Sequence, residues 1–120
     1  MQPMLTIALR AARAAGDLIQ RASSRIDRVH IDTKGQHDFV TEIDHASEKL
    51  IIEQLRRAYP DHSFIGEESG TLVGRDPDSE WIIDPLDGTT NFIHGIPHYA
   101  VSIAFRHCGR LQHGVVYDPA

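Results

Sequence analysis

Trp81-Ile82-Ile83-Asp84-Pro85-Leu86-Asp87-Gly88-Thr89-Thr90-Asn91-Phe92 is the stretch on which the reading of this chain turns. Trp81, Ile82 and Ile83 form a short apolar run of the kind that makes a buried strand. Asp84 precedes a proline and is pushed toward extended backbone, so the strand can run up to it. Pro85, with an Asp before it, predicts a type I turn that brings residues 84 and 87 within about 7 Å at the α-carbons. Two carboxylates held that close repel unless one takes a proton or a cation sits between them. A cation is the expected answer. Gly88 relieves the backbone, and Thr89, Thr90 and Asn91 are N-cap residue types. A short helix beginning there turns its N-terminus toward a phosphate, beside a hard-cation site.

Working outward, Tyr99 to Phe105 and Leu111 to Tyr117 read as two strands around a turn at Cys108-Gly109-Arg110, a hairpin. Upstream, Ser63-Phe64-Ile65 reads as a short strand and Gly66-Glu67-Glu68-Ser69-Gly70 as an acid-rich loop, with an exposed connection over 70–80. Before these comes a helix opening near Thr41 to Asp44. Ala46, Leu50, Ile51, Leu55 and Ala58 supply its stripe, and Pro60 stops it. Lys34 to Asp38 reads as a polar loop, and residues 26–33 as a short extended segment. Leu5, Leu9, Ala12, Gly16 and Ile19 recur at three- and four-residue intervals and predict an amphipathic helix from about Met4 to Ala22, with small residues on a closely packed face. Two helices followed by several strands predict a layered α/β domain, its helices packed on a largely antiparallel sheet.

With 120 residues the chain has room for one domain and not two. Its 41% hydrophobic and 24% charged residues argue against disorder. A net charge of −5 gives no electrostatic reason to expect nucleic acid or an anionic membrane as partner. Arg10, Arg13, Arg21, Arg25 and Arg28 cluster in helical context, but Asp17 and Asp27 interrupt them, which reads as a solvated helix face. The single Cys108 excludes an internal disulfide and fits a reducing cytoplasm. No apolar run reaches membrane-spanning length. His94 and His98 have the spacing of a helical zinc pair, but Gly95 and Pro97 between them break such a helix.

Asp84, Asp87 and the Glu67-Glu68 pair fall in loops at strand ends, where functional groups gather in α/β folds. Magnesium takes near-octahedral oxygen coordination from one or two carboxylates, waters and substrate phosphate. Carboxylates at a rigid turn, with a peptide carbonyl such as that of Leu86 between them, suit that demand.

Ile65-Gly66-Glu67-Glu68-Ser69 followed by Trp81 to Phe92 resembles the two signature segments of the inositol monophosphatase family. Phe39-Val40-Thr41-Glu42-Ile43-Asp44 resembles its third, shorter motif, and Pro97 to Ala104 resembles the strand that follows. The likeness is collinear over nearly the whole chain and is greatest to the bacterial extragenic-suppressor type. It implies a layered sugar-phosphatase fold and a Mg²⁺-dependent phosphomonoesterase. By motif position, Glu67, Asp84, Asp87 and the Leu86 carbonyl are implied metal ligands. Glu67 and Thr89 position the attacking water, with Asp44 orienting Thr89. The N–H groups of Gly88 and Thr89 hold phosphate oxygens, and Asp87 and Lys34 serve the substrate. Thr90-Asn91-Phe92 resembles the branch that acts on inositol monophosphates, which with other small sugar or polyol phosphates is the expected substrate class; a nucleotide or fructose bisphosphatase of the same superfamily is an alternative expectation. Full members run to roughly twice this length, a size suited to a layered enzyme domain. The expectation is therefore an N-terminal portion, weakly active or inactive alone, from a protein that is homodimeric when whole. Relatives of the suppressor type are also associated with the machinery that transcribes ribosomal RNA, so a binding module is the alternative expectation.

Overall fold

The computed structural model describes residues 3–26, 33–87 and 100–119, with backbone alone described at 23–26, 33–41 and 87. Two helices, α1 (Pro3–Ile26) and α2 (Thr33–Ala58), precede five strands: β1 (His62–Gly66), β2 (Gly70–Leu72), β3 (Asp76–Asp87), β4 (Ala100–His107) and β5 (Arg110–Tyr117). The strands form one sheet in the order β2-β1-β3-β4-β5. β1 and β3 run parallel, and every other neighbour is antiparallel. The predicted architecture is present: two helices packed on a mixed, mostly antiparallel sheet.

Alternation along the strands decides which face the helices cover. Val101, Ile103 and Phe105 of β4 are buried, while Ser102, Ala104 and Arg106 between them are only half-buried. Ile103 stands opposite Ile83, Phe105 opposite Trp81, and Trp81 opposite Phe64, so one apolar band crosses the three central strands. Against it lie Ile51, Ile52 and Leu55 of α2 and Ala8, Ala11, Ala12, Ala15, Ile19 and Ala22 of α1. The alanines let α1 come close. Gly16 comes closest: a β-carbon there would stand 2.5 Å from the Tyr117 ring of β5.

Several expectations need correction. The buried face of α1 is centred on its alanines, not on Leu5 and Leu9, which are half-exposed; small residues win because the sheet is near. α2 begins at Thr33, so the polar loop expected over 34–38 is helix. No proline interrupts the run from 33 to 58, and a lone Gly35 costs a helix only about 1 kcal/mol. Its stripe holds Ser47, Glu48 and Ile52 where Ala46 and Ala58 were expected, and those two alanines are exposed. Of the extended segment expected over 26–33, Ile26 ends one helix and Thr33 starts the next; the rest lies outside the described residues. Part of the 70–80 connection is strand, as β2 and the start of β3. The hairpin turn stands: Cys108 and Gly109 both have positive φ (51° and 78°), the pattern of a two-residue type I′ turn.

The turn expected at Asp84–Asp87 is a bulge. Asp84 pairs with Ser102 and Asp87 with Ala100, so Pro85 and Leu86 together stand opposite the single residue Val101. Pro85 has no N–H for the ladder, and within a sheet proline is confined to edges and bulges. The irregularity resets the two-residue period of the strand. Positions 84 and 87 thereby fall on the same face of the sheet, which an uninterrupted strand would not allow.

Candidate active site

Because β1 and β3 are parallel, their carboxyl ends come out side by side. β1 ends in Gly66 and delivers Glu67 and Glu68 in the turn to β2; β3 ends in the bulge that carries Asp84 and Asp87. α2 crosses above both. Its sheet-facing stripe, Asp44, Ser47, Glu48, Ile51 and Leu55, repeats at three- and four-residue intervals. The stripe is apolar over the middle of the sheet and polar over the strand ends.

Asp44 is strongly perturbed there. Its carboxyl is pushed up from 3.8 to about 6, first by burial, then by repulsion from Glu68, Glu67 and Asp84, with His45 partly offsetting. Its Oδ1 is fully buried and finds no hydrogen-bond partner among the described residues. Glu68 is half-buried, and His45 Nε2 lies 3.2 Å from its Oε2. Glu67 is exposed in the same turn, free to face solvent or a ligand.

The structure thus brings Asp44, Glu67 and Asp84, three of the residues singled out in the sequence, into one field of negative charge. Leu86 is buried within the bulge, next to Pro85. Asp87 is placed by register alone. Gly88 and Thr89 lie outside the described residues, as do His94 and His98. Lys34 sits in the first turn of α2, ten residues before Asp44 (44 − 34) and about 15 Å from it along the axis at 1.5 Å per residue.

Among the described residues no three His, Cys, Asp or Glu side chains close around one point as metal ligands do. The donor chemistry nonetheless suits a hard divalent cation: carboxylate oxygens in excess negative charge, one of them buried with no partner among the described residues.

Two residues of the site escaped the sequence reading. Ser47 and Glu48 are fully buried, and both hold main-chain groups of the acid-bearing segments. The signal was present: polar residues three and four places after Asp44, on the stripe that continues as Ile51 and Leu55.

A parallel strand pair thus ends in carboxylates beside a polar helix stripe, and the chain belongs to the inositol monophosphatase family, whose model matches residues 1–120. Among the relatives it is similar to, "Nus factor SuhB" of Pseudomonas aeruginosa is 56% identical over 121 residues, covering 99% of this chain and 45% of that protein. The Pasteurella multocida protein of the same name is 57% identical over 119 residues, with the same coverage. Among solved structures, the extragenic suppressor protein SuhB of Bartonella henselae superposes with a TM-score of 0.86 at 39% identity, covering 98% of this chain and 46% of that one. Inositol monophosphatase from Anabaena superposes with a TM-score of 0.78 at 43% identity, covering 96% and 39%. The chain spans a little under half the length of these relatives.

Proposed function

We propose that this chain carries the acid-lined part of a magnesium-dependent phosphomonoesterase acting on inositol monophosphate or a similar small polyol or sugar phosphate. The observation that carries the reading is the Asp44 carboxylate, with one oxygen buried and without a partner among the described residues, in the field of Glu67, Glu68 and Asp84. Such a cluster is short of positive charge, and family membership supports the cation as its remedy.

In this reading Glu67, Asp84, Asp87 and the Leu86 carbonyl hold magnesium. When bound, the cation supplies Lewis acidity, making water easier to deprotonate and neutralising phosphoryl oxygens. Glu67 and the Thr89 hydroxyl orient the attacking water. Asp44 accepts the Thr89 hydroxyl proton in a hydrogen bond and keeps that side chain aimed. The N–H groups of Gly88 and Thr89 donate to phosphate oxygens, whose charge must be stabilised as the phosphoryl group transfers. Asp87 and Lys34 are assigned to the substrate by motif position alone. Water attacks phosphorus, the ester P–O bond breaks, and the alcohol leaves with a proton; no covalent nucleophile is needed.

The name of the bacterial relatives favours a second reading, a binding module of a transcription complex. One experiment separates the two. Phosphate release by the whole protein is measured with magnesium on inositol monophosphates, a nucleotide bisphosphate and fructose bisphosphate, for wild type and Asp87→Asn. The enzyme reading expects release from inositol monophosphate that Asp87→Asn abolishes. No release from any substrate would overturn it.

A further inference from the structure

Glu48 is an ionisable side chain with no solvent exposure, set in the middle of a helix that covers a sheet. Burying a carboxylate is unfavourable unless its oxygens are satisfied, and packing alone would favour leucine or methionine at this position. Here both oxygens are used. Oε1 accepts the N–H of Glu68 at 3.1 Å, and Oε2 accepts the N–H of Ser69 at 2.5 Å. These two donors lie in the turn that presents Glu67, immediately after it. The position beneath is Gly66, where a β-carbon would overlap the Glu48 carboxylate. The preceding residue, Ser47, is equally buried and donates its hydroxyl to the carbonyl of Pro85 at 3.1 Å. Pro85 is one of the two residues of the bulge between Asp84 and Asp87. Two adjacent helix residues therefore fasten both acid-bearing segments, one turn after Asp44 on the same stripe.

We propose that Glu48 is a positioning residue for the metal site: it clamps the Glu67 turn and, with Ser47, sets it against the Asp84–Asp87 bulge. Affinity for a divalent cation then depends on a side chain that does not touch the cation. The inference rests on the metal-dependent reading of the preceding subsection. A clamp serving only the fold would lower thermal stability and leave metal affinity in the folded protein unchanged. A positioning clamp lowers affinity in protein that is still folded, because groups that orient ligands typically carry 10–100-fold of metal affinity or activity.

The test uses the whole protein, with Mn²⁺ as probe, followed by electron paramagnetic resonance, and with magnesium titrations of phosphate release. Glu48→Gln keeps the volume but turns an amide NH₂ toward a backbone N–H. It is expected to weaken Mn²⁺ binding about 10- to 100-fold. The magnesium concentration for half-maximal release should rise in step, with the loss lying in metal affinity more than in turnover at saturating metal. Unchanged Mn²⁺ affinity in folded Glu48→Gln overturns the proposal. Native-state amide exchange on the wild type gives a reading even if the variant does not fold: Glu68 and Ser69 should exchange slowly, and free exchange at both overturns the clamp. Wild type that binds no Mn²⁺ overturns both this inference and the reading beneath it. Wild type that binds Mn²⁺ but releases no phosphate overturns the phosphatase assignment alone, and weakened Mn²⁺ binding by the variant would still support the clamp.

Discussion

Replacing Asp44 with asparagine should make the metal-free protein more stable while abolishing the phosphatase activity proposed for the whole protein. The carboxyl of Asp44 is raised from 3.8 to about 6 by burial and by Glu68, Glu67 and Asp84, so the folded state holds its proton more tightly than the unfolded chain does. A shift of about 2 units corresponds to about 3 kcal/mol at 1.36 kcal/mol per unit. The group is half-exposed, and solvent screening brings the cost of its ionised form to about 1–2 kcal/mol. The sign follows: the contribution of Asp44 is fully present below pH 3.8, is lost as pH rises through about 6, and is level above. The asparagine side chain carries no such charge. Circular-dichroism melts of metal-free wild type and Asp44→Asn should coincide near pH 4 and separate by pH 6. At pH 7.5 the variant should melt about 4–8 °C higher, taking about 4 °C per kcal/mol for a chain of this size. Using the difference between the two proteins cancels every other titration. Magnesium should then raise the wild-type midpoint and narrow the gap, since a ligand that binds only the native state stabilises it. In the whole protein, phosphate release by the variant should fall about 10²–10⁴-fold, the range lost with a positioned proton-transfer partner. A variant that melts no higher than wild type at pH 7.5 without metal would refute the charge argument. So would a gap that does not change between pH 4 and 6.

Two further outcomes follow from groups away from the site. His62 Nδ1 accepts the Trp81 indole N–H at 3.0 Å, which makes the ring the neutral Nε2–H form, and burial pulls its pKa below 6.5 against Asp76 and Asp61. Its contribution is present above pH 6.5 and is lost as pH falls below that value, because the unfolded chain protonates first. His62→Gln should flatten this acid loss, and the Trp81 indole resonance should shift on acidification in wild type only; an identical acid slope in both proteins refutes the assignment. Arg106 meets Glu80 with two bonds, Nε to Oε1 at 3.2 Å and an Nη to Oε2 at 3.1 Å, across a partly exposed face. A double-mutant cycle should give a coupling of about 0.2–1 kcal/mol, reduced by molar salt. A coupling that molar salt leaves untouched would show a desolvated pair instead.

Much of the layout was legible in the residues. The hairpin came from Gly109 between two apolar runs, the end of α2 from Pro60, and β1 and the core of β3 from Phe64 and Trp81–Ile83. The misreadings share a cause, which is that local signals were given more weight than tertiary ones. Asp-Pro does favour a turn, but β4 pairs with the strand on both sides of Pro85, so the chain absorbs the proline as a bulge and continues. Lys34 to Asp38 has loop composition, yet nothing there forbids helix. Apolar periodicity in α2 points to Ala46 and Ala58, which are exposed, while Ser47 and Glu48 take the buried positions.

That last error bears on how the site is built. A helix laid across a sheet needs an apolar stripe, and one that turns polar for a single turn gives up burial energy there. α2 does so where Asp44, Ser47 and Glu48 pass over the carboxyl ends of β1 and β3. Ser47 and Glu48 recover part of the cost by binding main-chain groups of two segments 20–38 residues away, while the buried oxygen of Asp44 has no such partner among the described residues. A fold optimised for stability alone would repair Asp44 with one apolar substitution. Ser47 and Glu48 hold the acid segments still, and Asp44 adds charge where those segments meet. In the metal-dependent reading proposed above, carboxylates held in a field that a cation would relieve present their oxygens already in place, so little reorganisation would oppose the cation's arrival.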